Sequence, residues 1–204
     1  MCACSSSTSF KNVGGCDDDM TLGEGKTKVY MLLDEHSAGG VVEHDEDIER
    51  KMTYFFDIAQ KMLAQIKKIL RVKVVTPEPG RTEYPMSADF RSVYRIWRGD
   101  AVATGRYHWR RGRLIVPEKD GAERITVEYF AMPAAIPADA PDDYVFEIAE
   151  DAAECMPYYV AAQQLLPDLV LDYRSMLEMY HLAVSRLDTA VPGAAARVNQ
   201  SFYR

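Results

Sequence analysis

The residues of this chain that could do chemistry are four cysteines, four histidines, pairs of adjacent carboxylates and an arginine-rich stretch that holds both tryptophans. Cys2, Cys4 and Cys16 lie in a polar leader, and only Cys155 sits among apolar residues. Structural zinc takes four ligands, usually as two closely spaced pairs. Cys2, Cys4 and Cys16 with His36 or His44 fit none of those spacings, so a leader with spare thiols is expected instead. A secreted scaffold of this size would spread paired cysteines through its core, so a cytosolic setting is expected. His36 and His44 flank the first turn, His108 falls in a strand and His181 in the last helix, and none is spaced with carboxylates as a metal pair. Asp142-Asp143 and Glu150-Asp151 are adjacent, and adjacent residues do not face one another on a helix. A solvated loop and a helix N-terminus account for them. No phosphate-cradling G-x-x-x-x-G-K-[ST], dinucleotide G-x-G-x-x-G, nucleophile elbow or H-E-x-x-H helix occurs. Catalysis, a cofactor and a bound metal are therefore not expected.

Charge is the more informative feature. Seven arginines (Arg91, Arg95, Arg98, Arg106, Arg110, Arg111, Arg113) stand against one acid, Asp100, between positions 91 and 113. Seven acids (Asp139, Asp142, Asp143, Glu147, Glu150, Asp151, Glu154) and no base lie between 139 and 154. Both runs could simply be solvated faces. They could also be unlike halves of one contact, with Arg110, Arg111 and Arg113 of one copy meeting Asp142, Asp143 and Glu147 of the next. Such a head-to-tail contact closes into a ring. Tyr94, Trp97, Tyr107 and Trp109 interleave with the arginines as a nucleic-acid stacking platform would require. The net charge of −7 and a pI of about 5.2 argue against a dedicated nucleic-acid binder. Stacking of Arg on Trp explains the same residues without a ligand.

The elements that must position these groups follow from periodicity. Residues 1–19 are Ser, Gly and Asp rich and read as a disordered arm. Thr21-Leu22-Gly23-Glu24 fits a capping box, and Leu22, Val29, Leu32 and Leu33 continue a helix that Gly39-Gly40 ends. A second helix starts at Asp45, with Ile48, Met52, Phe55, Phe56, Ala59, Met62, Ile66 and Leu70 as its apolar stripe. Period two then governs 71–75, 92–97, 103–109, 113–116 and 124–130, separated by Gly99-Asp100, Arg111-Gly112 and Asp120-Gly121 turns. Pro133, Pro137 and Pro141 break regular structure. Helical spacing resumes from Ala149 to Leu165, where Pro157 either kinks the helix or marks its true first turn. Pro167 is placed to open a last helix carrying Tyr173, Met176, Leu177, Tyr180 and Val184.

The expected fold is α+β: a four-helix bundle built from the two chain ends (20–70 and 145–189), with a small antiparallel β-meander inserted at 71–136. Phe55, Phe56, Tyr159 and Leu177 are expected in its core. The most apolar stretch, 153–171, is interrupted by Pro157, Gln163, Gln164, Pro167 and Asp168, so no membrane span is expected. No basic segment followed by an apolar run opens the chain, so no export signal is expected either.

Several phrases then coincide. The Thr21–Glu24 and Asp45–Ile48 helix starts, Ile125-Thr126-Val127-Glu128-Tyr129-Phe130, the Pro141-Asp142-Asp143-Tyr144 loop and the Met156-Pro157-Tyr158-Tyr159-Val160-Ala161-Ala162-Gln163-Gln164-Leu165-Leu166 helix together resemble the head-to-tail adaptor (connector) proteins of tailed bacteriophages and prophages. The likeness spans about residues 20–190. The resemblance implies a virion structural protein assembled in the host cytoplasm as a ring, usually of twelve copies. That ring would dock beneath the portal protein, above a tail or nozzle protein, and line a channel that DNA crosses without sequence recognition. The cysteine-bearing leader and the long 76–90 segment depart from that pattern. Residues 190–204 read as an extended tail, and Val191, Arg197, Phe202, Tyr203 and Arg204 are expected to dock it on the portal or a neighbouring copy. The competing expectation is a tail or baseplate binding module that recognises carbohydrate or nucleic acid through Trp97 and Trp109.

Overall fold

A computed structural model describes residues 19–36, 46–117, 123–166 and 172–189. The expected leader arm, the Asp120-Gly121 turn, Pro167 and the tail residues Val191, Arg197, Phe202, Tyr203 and Arg204 lie outside the described residues.

The first helix, α1 (Leu22–His36), begins as its sequence dictates. The Thr21 amide donates to Glu24 Oε2 at 2.8 Å and the Glu24 amide donates to Thr21 Oγ1 at 3.3 Å, closing the reciprocal capping box. Helix α2 (Glu46–Ile66) carries Glu46, Asp47 and Glu49 in its first turn, against the positive end of its dipole. It buries Met52, Phe56, Ala59 and Leu63 on one stripe. The chain turns extended at β1 (Ile69–Val75), two residues before the expected start of the strands. Further strands are β2 (Glu83–Pro85), β3 (Phe90–Arg98), β4 (Ala101–Val102), β5 (His108–Arg110), β6 (Arg113–Ile115) and β7 (Ile125–Ala131). Thr104–Arg106 form a 3₁₀ turn where an unbroken strand over 103–109 is expected. The helical period after residue 149 divides into a short α3 (Glu150–Ala153) and α4 (Met156–Leu165). Pro157 sits in the first turn of α4, where its missing N–H leaves no bond unmade, so the second of its two expected roles holds. Helix α5 (Asp172–Ser185) closes the described chain.

The four-helix bundle with a small inserted meander is not what these elements build. The strands form two antiparallel sheets, a four-stranded one ordered β1-β7-β3-β4 and a three-stranded one ordered β2-β6-β5. A meander would keep chain order, but β7 inserts between β1 and β3 and pairs along both. Its alternation of buried and half-buried residues is that of a central strand with one covered face. The two sheets close over their own core of Val75, Tyr84, Ile96, Tyr107, Leu114, Ile125, Val127 and Tyr129.

The helices do not cover one another in a ring of four either. Helix α4 is their hub and packs against α1, α2 and α5, whereas α1 and α2 meet only narrowly. Much of what the helices need comes from the irregular segment after β7, which supplies Ile136, Phe146 and Ile148 to the helical core. That segment is held by backbone bonds: the amides of Leu22 and Gly23 donate to the carbonyls of Tyr144 (2.8 Å) and Asp142 (2.9 Å), and the Phe146 amide donates to Met20 (3.3 Å). An apolar helical stripe demands cover, but irregular chain can provide it. Phe56 is fully buried in this core, with Phe55, Tyr159 and Leu177 packed half-buried around it. Among the described residues no helix is long and apolar enough to cross a membrane.

Candidate interaction surfaces

The two charge runs have different fates. Four of the seven acids are neutralised within the chain: Asp142 by Lys26 (2.8 Å), Glu154 by Lys28 (2.5 Å), Asp151 by Lys67 and Glu147 by Arg71 (2.5 Å). Asp139, Asp143 and Glu150 are exposed. The bases come from α1, the residue just after α2 and β1, so this acidic loop fastens the irregular segment and α3–α4 to the rest. Lys26 is largely covered and also reaches Glu49 on α2 at 3.4 Å.

Glu147 belongs to a half-buried network where the two cores meet. Arg71 on β1 binds Asp89 through Nη1 and Glu147 through Nη2, both at 2.5 Å. The Tyr129 hydroxyl donates to Asp89 Oδ1 at 3.1 Å, and the Glu147 amide donates to Gln60 Oε1 at 2.8 Å. Gln60 is fully buried on α2, and its Nε2 donates to the Ala134 carbonyl at 3.4 Å. Burial alone would lower the pKa of Arg71, but hydrogen bonds and charge from Glu147 and Asp89 outweigh it and raise it. Five segments of the chain are tied at this point.

The arginines do not form one patch. Arg91 donates to Gln65 and Met132, Arg98 pairs with Glu123 at 2.6 Å, and Arg95 lies over the rings of Tyr94 (4.9 Å) and Trp97 (5.3 Å). Arg110, Arg111 and Arg113 stand together at the tip of the β5–β6 hairpin, all exposed. Arg110 is directly opposite Arg113, a like-charge pair that disfavours the hairpin. Arg111 has φ 49° and Gly112 φ 70°, the signs of a two-residue turn that favours Asn-Gly. Arg111 is the one non-glycine residue with positive φ among the described residues, at an expense of about 1 kcal/mol. Arg113 has a carboxylate partner in Glu83, at 3.3 Å and open to solvent on both sides. Within one chain, then, the hairpin arginines and the acidic loop are not brought together.

A feature that sequence reasoning missed is the outer face of the four-stranded sheet. Register places Val74, Thr126, Trp97 and Val102 in one row across all four strands. The next row is Val72, Glu128 and Arg95, and Phe130 lies beyond it. Val72 is 59% exposed, Val102 53% and Val74 42%, so apolar side chains stand open to water at both edges of this face, with Trp97, Thr126, Glu128 and Arg95 half-buried between them. The signal was present as alternate valines in β1, but alternation alone does not say which face of a sheet the chain leaves open. Trp109 is on β5 of the other sheet, so the two tryptophans do not share a stacking platform. A second uncovered apolar surface lies on α5, where Met179 and Leu182 face outward while Met176 and Tyr180 pack inward.

Cys155 is buried and its thiol donates to the Asp151 carbonyl at 3.4 Å. Burial, with the charges of Asp151 and Glu154, pushes its pKa up, the reverse of an activated thiol. His108 and His181 are exposed. No group of three or more metal-ligating side chains occurs among the described residues. Compared with known proteins, the chain matches no family model and no curated protein.

Proposed function

We propose that this chain is a structural subunit that works only in multiple copies, namely a head-to-tail adaptor of a tailed phage or prophage that forms a ring beneath the portal. The observation that carries the reading is the pair of unlike apolar surfaces left open among the described residues: Val72, Val74 and Val102 on the outer face of the large sheet and the Met179–Leu182 ridge of α5. Contiguous exposed apolar surface on a folded chain marks a contact site. Two surfaces of different shape cannot both be satisfied by a two-fold dimer of like patches; they suit a heterologous contact that repeats and closes. The sequence phrases in α4 and the 141–144 loop add the phage connector likeness to this geometry.

The test is the mass of the purified protein, alone and with a candidate portal, by analytical ultracentrifugation and negative-stain microscopy. Val72→Lys with Val102→Lys should leave the helical circular-dichroism signal intact and abolish assembly, because both side chains are already in water in the single chain. Rings of wild-type size from that double variant, or a wild-type chain that stays monomeric with and without portal, would refute the proposal.

A further inference from the structure

The edges of the two sheets are not alike. In the smaller sheet the edge strands β2 and β5 are three residues each, and β2 ends in Pro85. The far edge of the larger sheet, β4, is two residues long. Short strands and proline are how a sheet keeps its edge from pairing with foreign chain. Strand β1 has neither guard. It is an edge strand of seven residues without proline, and it pairs with β7 from Ile69↔Ala131 to Val75↔Ile125 with no break in register. On an antiparallel edge strand every second residue turns both its N–H and its C=O away from the sheet. Among the described residues no backbone hydrogen bond joins β1 to any segment but β7. Val72 and Val74, the exposed valines at this side of the outer face, belong to the same strand.

We infer that the open edge of β1 is a strand-addition site, which takes an extended segment of a partner protein that is apolar at alternate positions and acidic between them. In recognition of this kind main-chain bonds to the edge supply affinity and alternate side chains supply specificity. Apolar residues of the added strand lie beside Val72 and Val74. Its acidic residues answer the charge along β1. From Lys67 to Pro77 the sequence holds four bases, Lys67, Lys68, Arg71 and Lys73, and no acid. Lys67 and Arg71 have carboxylate partners within the chain. Lys73 donates to the Pro85 carbonyl at 2.7 Å, and Lys68 stands 4.7 Å from the centre of the Phe130 ring, so both cations are held without a carboxylate. The same charges disfavour β1 of a second copy as the occupant. With two such strands fully overlapped and antiparallel, Lys73 of one stands opposite Arg71 of the other. A slip to the next in-phase register sets Lys73 on Lys73 or Arg71 on Arg71, and like charges directly opposite weaken a strand pair. The inference goes beyond the assembly proposed above, which concerns the face of the sheet and not its edge: a chain that forms rings but takes no strand sinks this one alone.

The experiment is fluorescence anisotropy of a labelled peptide of alternating valine and glutamate, as long as β1, titrated with the full chain. Hydrogen–deuterium exchange read by mass spectrometry then locates the peptide. It should bind saturably and slow exchange over residues 69–75. A peptide with lysine in place of glutamate should bind about ten-fold more weakly. One with proline at its centre should lose binding, since proline cannot donate to a ladder. Lys73→Glu should close the gap between the glutamate and lysine peptides; circular dichroism checks its fold, and Lys68→Glu, at an exposed position, is the second variant. The inference is overturned if the glutamate peptide does not bind, if the lysine or proline peptide binds as tightly, or if exchange slows elsewhere and not in β1. Protection of β1 that grows with protein concentration in the absence of peptide would make a second copy the occupant and overturn it too.

Discussion

Gly25 offers the sharpest test of how the helical core is packed. It lies in the first turns of α1, where its amide donates to the Thr21 carbonyl at 2.9 Å. By helix propensity alone, Gly25→Ala should stabilise the protein by up to about 1 kcal/mol. The structure reverses that expectation. A β-carbon at Gly25 would stand 2.9 Å from Cζ and 3.1 Å from Cε1 of Phe56, and 3.4 Å from Cε2 of Phe146. Carbon atoms in contact prefer about 3.5–4.0 Å, so the Phe56 ring would have to withdraw by over half an ångström. It has little room, being fully buried and set against Phe146 with ring centroids 5.4 Å apart. Overpacking of this kind costs about 1–3 kcal/mol, which leaves a net destabilisation of up to about 2 kcal/mol. Urea denaturation followed by circular dichroism measures it, together with the cycle partner Phe56→Leu, which removes the clashing ring atoms. In the Phe56→Leu background Gly25→Ala should be neutral or stabilising, a coupling of about 1–3 kcal/mol. A Gly25→Ala protein more stable than wild type, or an equal penalty in both backgrounds, refutes this account of the α1–α2 approach.

Two further outcomes are expected. Arg71→Met strands Asp89 and Glu147 at the junction of the two cores and should destabilise by about 1–2 kcal/mol, between the values of exposed and buried pairs; adding Asp89→Asn and Glu147→Gln should restore most of the melting temperature, and a single variant that melts as wild type does would remove the network from the stability argument. Tyr180 is buried against Tyr159, and burial first, then the Cys155 and Tyr159 charges, push its hydroxyl up to about 12. A raised acid pKa stabilises the fold fully below the unfolded value near 10 and loses that contribution as pH climbs through the folded value. Alkaline melts should therefore show stability falling between about pH 10 and 12, by at most about 2–3 kcal/mol, and Tyr180→Phe should flatten that part of the curve.

What could be read from the sequence was what local chemistry decides. The capping box at Thr21 and Glu24, the Gly99-Asp100 and Arg111-Gly112 turns and the strand expected at 124–130 all depend on neighbours along the chain, and all are present, the strand one residue later than expected. Phase within a long helix was less legible. The stripe of α2 runs through Leu63, and Ile66 is 39% exposed, because the chain turns extended just beyond it and no further turn of helix packs below. Strand β2 went unread because Glu83-Tyr84-Pro85 is three residues long and ends in proline, which an edge position tolerates. The intrachain partners of the acidic loop were illegible for a different reason. Asp142, Glu147, Asp151 and Glu154 look like one charged surface in sequence, yet their partners Lys26, Arg71, Lys67 and Lys28 lie between 76 and 126 residues away, beyond the reach of any local pattern.

The same separation explains why the bundle expectation failed. Counting apolar stripes on helices says how much surface must be covered, not what covers it. Here the irregular segment 132–149 does that work for α1, α2 and α4, through Ile136, Phe146 and Ile148 and through backbone bonds to Met20, Leu22 and Gly23. With the helices so served, the surplus apolar surface falls elsewhere, on the outer face of a sheet whose inner face is already committed to the smaller sheet. Among the described residues that outer face leaves Val72, Val74 and Val102 open to water beside the half-buried Trp97, and it is this surface that the proposed assembly would cover.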